Sequence, residues 1–190
     1  MSATKSRTIA RPFQLVPFPT EAATAGLPAD LELNGRLERH PGGLRVIYLL
    51  SGPLQVLRIP APASRPQRCD DLWQGTCFEL FVAAVGAAPY REFNLSPSGD
   101  WNVYRLDGYR SGLRPDPAWQ ALDQRREDAP GNLMLTLETP LPPDLATAPA
   151  LEAAVTAVLQ NRSGVCSHWA IGHPGPEADF HRRDGFLLRL

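Results

Sequence analysis

Polar residues alternate with apolar ones along two consecutive segments of the chain, residues 76–82 and 90–96. Because the side chains of a strand point alternately to its two faces, Glu79 and Asn94 are expected on one shared face. A carboxylate and an amide form hydrogen bonds with hydroxyl groups, and a flat aromatic side chain such as Trp73 packs against apolar C–H groups. A sugar presents both kinds of surface, so these residue types indicate a saccharide-binding site.

The acidic residues are also compatible with two roles besides sugar binding. Glu79 could instead form a structural ion pair with a nearby arginine. The arginines within reach along the sequence are Arg91, Arg105 and Arg110. Glu79 and Glu92 also fall on the same predicted face, and two carboxyl groups that flank a sugar are the catalytic pair of glycosidases. That arrangement would predict an enzyme acting on a glycan or a nucleotide sugar.

The elements that must position these residues are short strands. Turns come often, because 20 prolines and 15 glycines are spread along the chain. Residues 161–164 have turn chemistry between two apolar runs, which favours a hairpin over a helix there. One helical turn is expected near residues 142–145. The predicted strands are 13–18, 31–38, 44–51, 54–59, 76–82, 90–96, 101–106, 119–127, 133–139, 151–160, 165–171 and 184–190. About a dozen strands at this spacing predict an all-β fold, a two-sheet antiparallel β-sandwich.

The composition sets further limits on fold and function. With 190 residues, 43% of them apolar, the chain can build one domain with a substantial core. We expect a flexible N-terminus at residues 1–10 and a single domain at residues 11–190. The 19 basic and 20 acidic side chains nearly balance, which argues against nucleic acid or a membrane as a partner. Residues 1–13 lack the apolar stretch of a secretion signal, so a cytoplasmic location is expected.

Three segments of the sequence resemble a known superfamily. The segment WQGTCFELFV, residues 73–82, resembles a strand of the family 9 carbohydrate-binding modules and their DOMON-like relatives. The segments FNLSPSGDWNVYRLDGYR and SHWAIGHPGPEADFHRRDGFLLRL look like the bacterial, stand-alone DOMON-like branch. The resemblance covers residues 13–190, and it implies a jelly-roll β-sandwich. In the sugar-binding relatives it implies tryptophans that clasp a sugar ring beside charged and amide side chains.

The resemblance also implies roles for particular residues. Trp73 falls where the relatives place one stacking tryptophan, and Glu79 falls where they place a carboxylate that binds sugar hydroxyls. Asn94 stands about where the relatives carry a basic residue, so Arg105 is the candidate for the missing charge. The second stacking tryptophan would be Trp169 or Trp101. The predicted ligand-binding residues are therefore Trp73, Glu79, Asn94, Trp101, Arg105 and Trp169.

Trp169 and its neighbour His168 cannot line the same pocket if both lie on one strand, because the side chains of adjacent residues point to opposite faces. Trp169 is the one we expect in the pocket. A bound protein partner stays possible.

Cofactors are not indicated by the sequence. His173, Asp179 and His181 are of types that bind metal ions, but their spacing matches no recognised metal motif. Some DOMON relatives are cytochromes, whose haem is held by a methionine and a histidine. The chain offers Met134 beyond its first residue, inside an apolar strand where core packing explains it, and no CxxCH motif. Haem or redox binding is thus kept as an alternative only.

Overall fold

The structure, a computed structural model, describes residues 8–190, without the side chain of Ala22. Its named strands pair in antiparallel fashion, and two short helices, α1 (Pro19–Thr24) and α2 (Pro143–Ala146), connect some of them. None of the helices in this part of the chain is long and apolar enough to cross a membrane. The strands are β1 (Ile9–Pro17), β2 (Glu32–His40), β3 (Gly43–Ser51), β4 (Cys77–Ala84), β5 (Tyr90–Leu95), β6 (Trp101–Leu106), β7 (Arg114–Pro115), β8 (Asp123–Ala129), β9 (Asn132–Thr139), β10 (Leu151–Gln160), β11 (Cys166–Ala170) and β12 (Leu188–Arg189).

The strands form one continuous, strongly curled sheet. Its order is β7-β6-β5-β4-β10-β11-β1-β2-β3-β9-β8, and β12 pairs with β10 beside this path. Strand β1 pairs with β2 from Ile9 to Leu15 and with β11 at Val16 and Pro17, so it belongs to both halves. We call β1, β2, β3, β9 and β8 the first strand group, and the remaining strands the second strand group.

The main hydrophobic core lies between the two strand groups. Tyr48 of β3 packs against Phe78 of β4 with ring centroids 5.0 Å apart, and Phe93 of β5 meets the edge of Trp119 at 5.1 Å. The Tyr48 hydroxyl donates a hydrogen bond of 2.7 Å to the backbone carbonyl of Glu79. This bond ties β4 to the core side of the sheet, while the Glu79 side chain points to the other face.

The all-β fold and most strands agree with the sequence predictions. Strands β10 and β11 form the expected hairpin, and α2 is the helical turn expected near residues 142–145. The two-sheet arrangement stays a prediction, because β1 pairs with strands of both groups and links them. The jelly-roll connectivity stays a prediction.

Three local predictions were wrong. Residues 54–59 form a 3-10 turn at Leu54–Val56, because local hydrogen bonds to Gly52, Pro53 and Leu54 occupy its backbone N–H groups. The last predicted strand shortens to β12, since a 3-10 turn occupies Arg183–Gly185. Helix α1 was not predicted; it begins with Pro19, whose fixed φ suits a first helical position.

The expected flexible N-terminus covers residues 1–10. Residues 1–7 lie outside the described part of the chain, and β1 already begins at Ile9. Strand β1 thus includes two residues, Ile9 and Ala10, of the segment expected to be flexible, and the single domain at residues 11–190 stays a prediction.

Gly35 of β2 marks a place where the first strand group leaves no room for a side chain. A Cβ atom there would collide with the carbonyl oxygen of Ile47 and with the ring of Phe13. We expect Gly35→Ala to lower the free energy of unfolding by about 2 kcal/mol, because overpacking shifts the neighbouring strand. Gly108→Ala is the control, since its Cβ would meet open space. Urea unfolding of both variants tests this, and equal stabilities would contradict it.

Candidate functional site

A cavity of about 270 Å³ opens on the outer face of the second strand group, between β4, β5, β10 and the segment that follows β11. Two acidic side chains, aromatic rings and two histidines line it. We call it the Glu79 cavity and define it by Trp73, Glu79, Phe81, Glu92, Phe180 and His181. Its volume lies near the lower end of ligand pockets, which hold about 300–1,000 Å³. A ligand as small as one sugar ring suits this space.

Strand register brings the two acids together. Glu79 of β4 lies opposite Asn94 of β5, and Glu92 lies opposite Phe81. The two glutamates are therefore diagonal neighbours on one face of adjacent strands, a spacing that long side chains can bridge. On its other side, Glu79 lies opposite Thr156 of β10. The alternation of polar residues in the sequence produces this cluster.

Glu79 is almost completely buried, with 2% of its surface exposed. The Thr156 hydroxyl donates a weak hydrogen bond of 3.3 Å to its Oε2 atom. Burial raises the pKa of Glu79 well above its usual value, and the nearby charge of Glu92 raises it further. The environment thus favours the neutral acid form of Glu79.

Glu92 is equally buried but better supported as a charged group. The Asn94 amide donates a hydrogen bond of 2.9 Å to its Oε1 atom. Burial raises the pKa of Glu92, while the Asn94 hydrogen bond and the charge of Arg110 oppose that rise. The Oε2 atom of Glu92 has no hydrogen-bond partner among residues 8–190. Of the two coupled acids, Glu92 is the better placed to carry a negative charge.

His181 faces Glu92 across the cavity. Its Nδ1 atom lies 2.8 Å from the hydroxyl of Tyr90, and its Nε2 atom lies 4.0 Å from Oε2 of Glu92. Burial lowers the pKa of His181 to about 4, and the charge of Arg110 adds to this effect. The imidazole is therefore neutral at physiological pH.

Aromatic side chains form the apolar part of the wall. Trp73 is half-buried in the 3-10 turn Leu72–Gln74, and its ring meets the edge of Tyr104 at 5.8 Å. The Tyr104 hydroxyl is fixed by a 2.5 Å hydrogen bond to Asp70. The rings of Phe81 and Phe180 pack edge to face on another side of the cavity, with their centroids 6.4 Å apart. A ligand with apolar C–H groups would find two aromatic surfaces here.

A polar contact joins two loops at the mouth of the cavity. Tyr109 and Arg110, in the loop after β6, hold Asp179 through a hydrogen bond of 2.5 Å and an ion pair of 2.9 Å. The Arg110 backbone adopts a left-handed φ of 50° in this loop. The contact keeps the segment carrying Phe180 and His181 against the sheet.

The structure brings together some of the predicted binding residues. Trp73 and Glu79 both line the cavity, and Asn94 lies directly behind Glu92, fully buried. Their binding roles stay predictions. Phe81, Glu92 and the cavity-lining side of β5 were indicated by the alternation in the sequence.

Three other predicted residues do not line this cavity. Trp101 and Trp169 are buried in the main core, on the opposite face of the second strand group. Arg105 lies opposite Arg91 in the register of β5 and β6, which places it on that same opposite face. A shift of one residue in strand register would move each of these side chains to the other face of the sheet, because adjacent side chains of a strand point to opposite faces.

His168, and not Trp169, lies at the cavity. Trp169 pairs with Ala157, which is a core residue, so the neighbouring His168 faces outward. Its Nδ1 atom contacts the carboxylate of Glu21 at 3.0 Å. The sequence did not indicate that Arg110 and Phe180 line the cavity, because both lie in irregular segments that carry no periodic signal. It also did not indicate the contact of Tyr90 with His181.

The ion pairs of the neighbouring arginines test the structural role that the sequence left open for Glu79. Among residues 8–190, Glu79 has no arginine partner: Arg91 pairs with Asp116 and Asp144, and Arg110 pairs with Asp179. An ion pair therefore does not explain its burial.

The three metal candidates have hydrogen-bond partners of their own, and the backbone N–H of His181 donates to Oδ1 of Asp179 at 3.1 Å. His173 bonds the carbonyl of Val16 at 3.0 Å, while Asp179 and His181 bond the partners given above. Residues 8–190 contain no group of three His, Cys, Asp or Glu side chains placed to hold a metal ion. Met134, the haem candidate, is not in the core as expected. It lies on the outer face of the first strand group, opposite the exposed Leu49.

Comparison with known proteins relates the fold to solved structures. The sequence matches no protein-family model and no curated protein. The fold is similar to that of a Bacteroides uniformis protein described as a candidate carbohydrate-binding protein, with a TM-score of 0.61 and 12% identity over 93% of this chain and 83% of that one. It is also similar to a family 9 carbohydrate-binding module of Caldicellulosiruptor kristjanssonii in complex with glucose. That comparison gives a TM-score of 0.52 and 12% identity over 85% of this chain and 76% of the module. At this identity the likeness shows the fold alone, that of a carbohydrate-binding-module-like β-sandwich.

Proposed function

We propose that this protein binds a saccharide, or a metabolite that carries one, in the Glu79 cavity without transforming it. The observation that carries the proposal is the pair of buried carboxyl groups, Glu79 and Glu92, on neighbouring strands of a cavity with aromatic walls. Buried polar groups that lack partners are costly, so such a pair calls for a ligand that satisfies them.

The chemistry of the cavity matches an uncharged polyhydroxylated ring. Hydroxyl groups can donate to the carboxylate of Glu92 and accept from the protonated carboxyl of Glu79, so the two acids complement each other. The face of Trp73 can pack against the apolar C–H groups of the same ring. An anionic ligand group would be repelled by Glu92, which restricts the ligand to a neutral surface here.

The structural comparisons support this choice of ligand class. The family 9 module with a similar fold holds glucose, and the Bacteroides uniformis protein is described as a candidate for carbohydrate binding. Glucose is therefore the first ligand to test. The DOMON-like resemblance and a cytoplasmic site of action belong to the same proposal.

A catalytic role is the second candidate, because a buried acid with a raised pKa beside a second carboxyl group is also the arrangement of a glycosidase. In that case Glu79 would protonate the leaving oxygen. Incubation of cello-oligosaccharides with the protein, followed by a reducing-end assay, separates the two candidates. New reducing ends that disappear in Glu79→Gln would establish the enzyme.

The binding proposal is tested by a thermal-shift and NMR screen with glucose, galactose, mannose, N-acetylglucosamine, cellobiose and a nucleotide sugar. A ligand that binds only the folded state must raise the melting temperature. We expect Trp73→Ala to weaken binding of the best ligand at least about tenfold, because the aromatic surface is lost. Glu79→Gln is expected to weaken it less, because the glutamine amide still offers a hydrogen-bond donor where the neutral acid did.

The matched control is Glu127→Gln, which makes the same chemical change on the exposed face of β8. It should bind like the wild type. Absence of any shift at high concentrations of all these saccharides would rule out the proposal, and equal loss in the control would show that the assay reports stability instead of binding.

A further inference from the structure

His181 and Glu92 face each other across a gap that is too wide for a direct hydrogen bond. Nε2 of His181 lies 4.0 Å from Oε2 of Glu92, whereas such bonds measure about 2.7–3.2 Å. Both side chains are sheltered, with 16% and 5% of their surfaces exposed. Oε2 of Glu92 has no other partner among residues 8–190. The gap therefore contains two polar atoms that are not satisfied by each other.

The hydrogen bonds around Tyr90 favour the tautomer of His181 that carries its proton on Nε2. The Arg110 backbone N–H approaches the Tyr90 hydroxyl oxygen at 3.4 Å and can only donate to it. The hydroxyl proton is then free to be donated to Nδ1 of His181, 2.8 Å away. Since the imidazole is neutral and Nδ1 accepts, the proton lies on Nε2. The Nε2–H group, with its nitrogen 4.0 Å from Oε2 of Glu92, is then the donor on the His181 side of the gap.

The opposite side of the gap is an acceptor. Asn94 already donates to Oε1 of Glu92, which leaves Oε2 as the free oxygen of this carboxyl group, an acceptor in the charged form. An oxygen atom placed about 2.8 Å from both Nε2 and Oε2 would see them at an angle of about 90°. This angle is close to what a hydroxyl oxygen needs to accept one hydrogen bond and donate another.

We propose that this gap is a subsite for one hydroxyl group of the ligand, which accepts a hydrogen bond from His181 and donates one to Glu92. The inference rests on the proposed saccharide binding and deepens it, because it names a specificity-determining contact. An ether oxygen cannot donate to Glu92, and a carboxylate would be repelled by it. The subsite thus selects a free hydroxyl at one ring position. Tyr90 is a positioning residue that sets the tautomer of His181.

The first test needs no ligand. ¹⁵N NMR of the imidazole nitrogens at pH 7 should show His181 as the neutral tautomer with the proton on Nε2. Tyr90→Phe removes the donor to Nδ1 and should shift His181 toward a mixture of tautomers. A wild-type His181 with its proton on Nδ1, or with both nitrogens protonated, would overturn the subsite, because the gap would then lack its single, directed donor.

The second test compares D-glucose with its monodeoxy analogues by NMR titration. In the wild type, removal of one particular hydroxyl should weaken binding at least about tenfold, as expected for a hydrogen bond to a charged group. In Glu92→Ala, which removes the charged acceptor, the same removal should change affinity less than about threefold. In His181→Phe and in Tyr90→Phe, which weaken only the neutral donor, its effect should be smaller than in the wild type. His173→Phe, which alters a histidine outside the cavity, should keep the wild-type ratio.

The outcomes separate the two proposals. If every variant shows the wild-type ratio for every analogue, the subsite is excluded although saccharide binding stands. If glucose fails to bind the wild type, the proposed function fails for this sugar, while the NMR tautomer still decides whether the donor faces the gap.

Discussion

Replacing Asp116 with asparagine is expected to destabilise the protein by about 3 kcal/mol, which corresponds to a fall in melting temperature of about 9 °C for a chain of this size. Arg91 of β5 is buried, with 4% of its side chain exposed, and its Nε atom lies 3.0 Å from Oδ2 of Asp116. Arg105 lies directly opposite Arg91 on β6, so a second cation is adjacent. The substitution leaves the buried guanidinium without its buried counter-charge.

The second ion pair of Arg91 supplies the control. Its Nη1 atom also pairs with Asp144 of α2 at 2.6 Å, but the Asp144 side chain is 51% exposed. Asp144→Asn should lower stability by less than about 1 kcal/mol, because solvent replaces an exposed partner. Urea unfolding of the two variants decides the matter. Similar losses in both would show that burial does not control the strength of this pair.

Replacing Glu79 with glutamine is expected to stabilise the protein increasingly as the pH rises. The pKa of Glu79 is raised in the folded state above its ordinary value of 4.5, so the folded state holds this proton more tightly than the unfolded chain. Above pH 4.5 the unfolded chain loses the proton first, and the wild type then loses stability by up to about 1.4 kcal/mol per pH unit. Glutamine does not titrate and escapes this loss.

The measurement is the difference in free energy of unfolding between Glu79→Gln and wild type at pH 5, 6, 7 and 8. His181 contributes with the opposite sign: its pKa falls from 6.5 to about 4 on folding, so its stabilising effect is lost as the pH drops through that range. This contribution is present in both proteins and cancels in the difference. A difference that stays constant with pH would mean that Glu79 titrates normally.

The face shared by the two acids could be predicted from the sequence because strands repeat every two residues. The alternation in residues 76–82 and 90–96 placed Glu79, Phe81, Glu92 and Asn94 together, and the register of β4 and β5 agrees. The same alternation puts Phe78 and Phe93 on the opposite face, which is buried in the core. Where one face is buried, a shift of one residue would expose the whole apolar set, so the pattern is strongly constrained.

The residues that the sequence did not reveal depend on contacts between distant segments. Trp169 was favoured over His168 for its chemistry, but the pairing of β10 with β11 decides which of the two faces the cavity. Phe180 and His181 come from an irregular segment whose position is set by Asp179 and the loop after β6. No local periodicity encodes such a contact, since loop conformations follow from turn chemistry and tertiary packing.

The pairing of β4 with β10 also determines when the cavity can exist during synthesis. Strand β4 can pair with β5 soon after both emerge, because the two are consecutive in the sequence. Its other neighbour, β10, comes much later in the chain and aligns Leu151 with Ala84 and Val158 with Cys77. His181 is added later still. Non-local pairing of this kind slows folding, because a long loop must close before the contacts form. A nascent chain will therefore form the hairpin of β2 and β3 early, and it will complete the Glu79 cavity last.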